Sequence, residues 1–73
     1  MKITFDRLVN AVYIRLTSTE PIGPLHMYAC DPKEVGGMIN LDFDSSGVLV
    51  GIEVIGATST LPEEFLKLAE MIG

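Results

Sequence analysis

LDFDSSGVLVGIE, residues 41–53, decides the fold, because it reads either as a calcium-binding loop or as the tip of a β-hairpin. Counting from Asp42, oxygen-bearing side chains fall at the first, third and fifth positions (Asp42, Asp44, Ser46). Gly47 is sixth, Leu49 eighth and Glu53 twelfth. That register approaches an EF-hand loop, in which oxygen ligands surround a glycine turn and a bidentate Glu closes the site. An EF-hand also needs a helix on each side. Here EVGGMIN precedes the loop and GIEVIGA follows it, so paired glycines and β-branched residues stand where helices should be. The flanks demand strands. On a straight hairpin turning at DSSG, Asp42 is expected opposite Leu49 or Val50, which leaves Glu53 roughly 10–13 Å away at about 3.3 Å per residue. Ligands of one calcium ion lie about 2.3–2.6 Å from it. The hairpin reading therefore assigns Asp44 to accept backbone hydrogen bonds in the turn, Gly47 to positive φ, and Asp42 to an exposed face.

Working outward, KITFD and AVYIRLT alternate apolar and polar residues with period two, and DRLVN between them ends in Asn, which tolerates left-handed turn geometry. Residues 2–17 are thus a first hairpin. TSTEPIGP is a loop by its two prolines and glycine, LHMYAC a short edge strand, and DPKEVGG a turn-rich connection. TLPEEFLKLAEMI predicts the one helix. Thr60 and Glu63 have capping-box spacing, Pro62 falls in the first turn, and Leu61, Phe65, Leu68 and Ile72 form a stripe flanked by Leu66 and Ala69.

With 73 residues the chain makes one domain, 1–73, which buries only about 60% of its unfolded surface and has little stability to spare. The single cysteine, Cys30, forms no internal disulfide, and no Cys/His spacing fits zinc. Association with a copy or a partner is the remaining support. Hydrophobic residues make up 48% of the chain, and mean hydropathy is +0.39; both point to apolar surface that meets another surface. No apolar run reaches the ~18–20 residues of a membrane span, and MKITFDRL lacks a signal-peptide core, so a cytoplasmic location is expected. Ten acids against five bases give a net charge of -5, which disfavours direct nucleic-acid binding and suits a basic protein partner.

FDRLVNAVYIRL at 5–16 together with LDFDSSGVLVGIEVIGA at 41–57 resembles a family of small prokaryotic proteins known only as a domain of unknown function, twenty-two eighty-three in that series. The patterns matched are D-x-x-x-[DN]-A-x-Y-I-x-L and L-D-x-D-x-x-G-x-x-V-G-I-E. Asn10 stands where that family usually has Asp, and residues 17–37 are longer than its common spacing. The resemblance implies a compact β-rich fold with a terminal helix. It carries no activity, cofactor or catalytic residue.

Other chemistry is thin. His26 and Cys30 share one side of LHMYAC but lie ~13 Å apart on a strand, beyond the reach of a nucleophile and its base. Glu53, alone in an apolar strand, is matched most simply by a cross-strand partner such as Arg15. VLVGIEVI is apolar on both sides, as a strand buried on both faces would be. One helix covers one face only.

The expected fold is α+β, an antiparallel sheet of four to five strands in two hairpins, with one C-terminal helix packed on one face. The expected function is a non-enzymatic interaction module, a homodimer or an acidic, antitoxin-like partner of a basic protein, without cofactor. Tyr13, Tyr28, Leu49 and Ile55 are the expected interface on the helix-free face. The alternative is a small-ligand or divalent-metal domain using Asp42, Asp44, Ser46 and Glu53.

Overall fold

A computed structural model describes residues 1–73. Six strands form one sheet in the order β3-β4-β5-β2-β1-β6. They are β1 (Lys2–Asp6), β2 (Ala11–Arg15), β3 (His26–Ala29), β4 (Met38–Phe43), β5 (Leu49–Ile55) and β6 (Glu70–Ile72). The short helices α1 (Pro32–Val35), α2 (Ala57–Thr60) and α3 (Glu63–Leu66) each make a single turn.

Both expected hairpins form. In the first, Asn10 takes the left-handed conformation at φ 53°. Its carbonyl accepts from the backbone N–H of Gly56 and Ala57 (2.9 and 3.0 Å), and its side chain exchanges hydrogen bonds with Thr58. The turn is thereby tied to α2. In the second hairpin Gly47 has φ 83°, and Asp44 Oδ1 accepts from the backbone of Ser46 and Val48 at 2.9 and 3.0 Å. The turn is an Asx-capped one. A bulge shifts the register, however, so that Asp42 faces Gly51 rather than Leu49 or Val50. LHMYAC is an edge strand, as expected, pairing with β4 alone.

The C-terminal stretch departs from the single helix. Leu61, held extended before Pro62 (φ -106°, ψ 147°), separates α2 from α3, because an α conformation at that position clashes with the proline ring. Thr60 does not cap α3; its hydroxyl donates to the Gly56 carbonyl at 3.1 Å. After one turn the chain extends and adds β6 parallel to β1, pairing Thr4 with Glu70 and Asp6 with Ile72. The sheet thus has six strands and one parallel pairing, where four to five antiparallel strands and one helix were expected. The edge of β1 offers unpaired backbone groups, and pairing satisfies them where a continued helix would not. Residues 31–36 also differ from a plain connection. Asp31 caps α1 by accepting from Lys33 N–H, and Gly36 ends it at φ 71°.

The core lies on one face of the sheet. Phe5, Val12 and Val54 pack against Ala57 and Leu66, flanked by Ile3, Ile14, Ile39, Ile52, Leu61 and Phe65. Val12, at 0% exposure, is its centre. The helical stripe is reassigned accordingly: Leu61, Phe65 and Leu66 face the core, while Leu68 is left 71% exposed.

Candidate functional site

On the opposite face, register brings two polar rows together. Tyr13, Glu53 and Asn40 are neighbours across β2, β5 and β4, and Arg15, Gly51 and Asp42 form the adjacent row. Gly51 has no side chain, and the Tyr13 ring crosses the space above it. A Cβ at Gly51 would collide with the Tyr13 hydroxyl and stand 2.5 Å from Cζ. The hydroxyl thereby reaches β4 and donates to Asp42 Oδ2 at 2.8 Å. In the neighbouring row the buried Asn40 donates from Nδ2 to Glu53 Oε1 at 2.9 Å.

The Tyr13 phenol is pushed up from 10.0 to about 12, first by burial, then by its bond to the Asp42 carboxylate and by the charges of Asp42, Glu20 and Glu53. Each of these disfavours the phenolate. At neutral pH the group is a fixed donor and not a base.

The segment joining β2 to β3 folds against the same face. Arg15 Nη1 donates to Glu20 of that segment, while Arg15 Nε is buried without an acceptor. Lys2, Thr4, Tyr13 and Arg15 on the sheet, with Glu20, Pro21 and Leu25 above them, line a cavity of about 210 Å³. This is below the usual ~300–1,000 Å³ of small-molecule pockets.

The residues expected from the sequence are dispersed among these roles. Asp42 is not an exposed free carboxylate but the acceptor of Tyr13. Glu53 is held by Asn40, and Arg15 turns instead to Glu20. Because Asp42 faces Gly51, Glu53 is its diagonal neighbour, nearer than the 10–13 Å inferred from an unbulged hairpin. Asp44 is consumed by its own turn, and Ser46 is exposed there. No group of three or more His, Cys, Asp or Glu side chains is gathered so as to hold a metal ion.

Of the expected interface residues, Tyr13 and Ile55 stand on the helix-free face, where Ile55 is paired with Ala11 and Met38. Tyr28 pairs with Leu41, which faces Ile52, and so belongs to the core side of the sheet at its open edge. Leu49 is half-buried opposite Phe43, beside the bulge. His26 is exposed on β3 and Cys30 is a free thiol just beyond it. Asn40 escaped the sequence reading. Its signal was a polar residue inside MINLDF, legible once Glu53 was placed across from it.

A family model described as "Protein of unknown function (DUF2283)" matches residues 2–57. The chain belongs to the DUF2283 family. The match takes in the five antiparallel strands and the polar rows of the helix-free face, and it stops at Ala57, before α3 and β6. Neither the curated proteins nor the solved structures include a significant match to this DUF2283 chain. No helix is long and apolar enough to cross a membrane.

Proposed function

We propose that the protein is a non-catalytic interaction module that acts by pairing its β3 side with another polypeptide. One observation carries this reading: every residue of β3 is exposed, with Met27 at 63% and Tyr28 at 62%. Leu25, Val35 and Met38 are exposed in the flanking segments. Sheet edges in free monomers are ordinarily kept short or blunted by charge, proline or a bulge; this one is four residues long and has no Lys, Arg, Asp, Glu or Pro within it. The carboxylates and phenol of the 42–53 hairpin and its neighbours are meanwhile engaged in structural bonds, Tyr13 with Asp42, Asn40 with Glu53 and Asp44 with its turn. The partner is a second copy or, given the net charge of -5, a basic protein neutralised in the manner of an antitoxin target. The free thiol of Cys30 suits a reducing compartment such as the cytoplasm.

The test is the mass of the native species, both purified alone and isolated from its own cell, for the natural chain and for Met27→Lys. The expected result is an assembly heavier than 7.9 kDa that Met27→Lys dissolves. A free chain in both preparations rejects the reading.

A small-ligand role is favoured by the unaccepted Arg15 Nε beside the 210 Å³ cavity and by a second, open cavity of about 340 Å³ that Asp44 and Ser46 help to line. A ligand at a hundred times its dissociation constant adds about 2.7 kcal/mol. Unchanged melting temperatures with millimolar acetate, phosphate and calcium reject that role.

A further inference from the structure

The open edge carries a geometry that selects its own occupant. Cys30 N–H donates to the Ile39 carbonyl at 2.8 Å, one step beyond the Ala29–Asn40 pair of the β3–β4 ladder. In an antiparallel ladder such bonded pairs alternate with unbonded ones. Tyr28 and His26 therefore bond inward to β4. The N–H and C=O groups of Met27 and Ala29 point outward.

These four groups are arranged symmetrically about Tyr28, and so are the prolines that bound the strand. Pro24 and Pro32 lie four residues to either side. Between Glu20 and Asp31 the chain has no Asp, Glu, Lys or Arg, although the protein as a whole is at -5. A basic partner finds no countercharge there, whereas a second copy meets no like charge. The opposite edge, β6, is three residues long and carries Glu70 in an ion pair with Lys2. Its Met71 and Ile72 are exposed as well, but the margin is shorter than β3 and charged, so it meets a second copy of itself less well than β3 does.

We infer that β3 pairs with β3 of a second copy, antiparallel across a two-fold axis through Tyr28, so that two six-stranded sheets become one. This rests on the reading of the protein as an interaction module and names its partner. In this register Met27 and Ala29 of one copy exchange backbone hydrogen bonds with Ala29 and Met27 of the other, four bonds in all. The two Tyr28 residues face each other as an unbonded pair with Cα atoms about 4.5 Å apart, within the ~4.4–6.8 Å that a disulfide spans. Homotypic pairs at position 27 or 29 are offset by two residues, about 7 Å or more, and do not span.

The experiment is a cysteine scan in the Cys30→Ser background, with Tyr28→Cys, Met27→Cys and Ala29→Cys each oxidised mildly at about 100 µM and run without reductant. Tyr28→Cys is expected to form covalent dimer at least tenfold more readily than the other two. Met27→Cys mixed with Ala29→Cys is expected to cross-link as a heterologous pair. Ala29→Pro removes an outward donor without touching the bonds to β4. It should restore the mass of the single chain while far-UV circular dichroism stays native. Preferential cross-linking at 27 or 29, or a single-chain mass for the natural protein at 100 µM, overturns the inference. In the latter case the interaction-module reading survives only if the species isolated from the cell is an assembly that Met27→Lys dissolves, so the two failures are distinguishable.

Discussion

Gly51→Ala is the most direct probe of the helix-free face. The backbone at Gly51 does not have the positive φ that requires glycine, so alanine is accommodated by the strand itself and removes about 0.5–1 kcal/mol of glycine's entropic penalty. The cost comes from Tyr13. A methyl group at position 51 occupies the space of the Tyr13 hydroxyl and Cζ, so the ring must swing away and release Asp42. A hydrogen bond to a charged acceptor contributes about 1.5–3 kcal/mol, and the half-exposed setting places this one near the lower end. The net expectation is a loss of about 1 kcal/mol. Urea unfolding followed by circular dichroism, at one fixed low protein concentration, measures it in a cycle with Tyr13→Ala. In the Tyr13→Ala background the obstacle is gone, and Gly51→Ala should become neutral or stabilising by up to about 1 kcal/mol. The coupling is then about 1–2 kcal/mol. If Gly51→Ala costs the same in both backgrounds within about 0.5 kcal/mol, the two sites are independent and the bridge over β5 is wrong.

Tyr13 prefers its protonated form in the folded chain, with a pKa of about 12 against 10.0. The stability from this preference is complete below pH 10 and is lost as pH rises to about 12. In Tyr28→Phe, where Tyr13 is the one tyrosine left, the tyrosinate absorbance should rise near pH 12, and a rise near pH 10 contradicts the burial and the Asp42 bond. Asp44→Ala leaves the N–H groups of Ser46 and Val48 without their acceptor. It should cost about 1–2 kcal/mol by thermal or urea melts, with the same loss in the presence and absence of calcium. Asn10→Ala forces a Cβ residue without a compensating amide into φ 53° and breaks both bonds to Thr58. A loss of about 2 kcal/mol is expected, and a loss under about 0.5 kcal/mol means the turn is not anchored to α2. Val12→Ala, at the most enclosed position, should cost about 2–3 kcal/mol.

The two hairpins were legible because their signals are local. Alternation in KITFD and AVYIR, the left-handed Asn10, and the Asp44/Gly47 turn depend on neighbours a few residues away. The C-terminal stretch was not, because its fate depends on β1. A helical stripe and a capping-box spacing describe residues 60–72 in isolation, yet Pro62 interrupts the first turn and the open β1 edge, some sixty residues away in sequence, takes the last residues as β6. The bulge between β4 and β5 was likewise invisible in the composition of the turn. Its consequence was large, since a shift in register moved Asp42 from an exposed place to the partner of Gly51 and within reach of Tyr13.

That same shift relocates the argument for a partner. A β5 strand apolar on both sides requires a second cover for the sheet, but its helix-free side is Gly51, Glu53 and Ile55. Gly51 lies under the Tyr13 ring, Glu53 is held by Asn40, and the segment bearing Glu20, Pro21 and Leu25 folds over the adjoining strands. The face clothes itself with its own polar side chains. An unsheltered apolar cluster lies instead along the β3 margin, where Met27 and Tyr28 are exposed beside the outward-pointing backbone groups of Met27 and Ala29, between two prolines. Burial against a sheet face stabilises through area and tolerates many shapes, whereas pairing at an edge is fixed in register by backbone hydrogen bonds. A module built this way is specific by alignment, so moving the cysteine by one residue along β3 should change cross-linking far more than Gly51→Ala does.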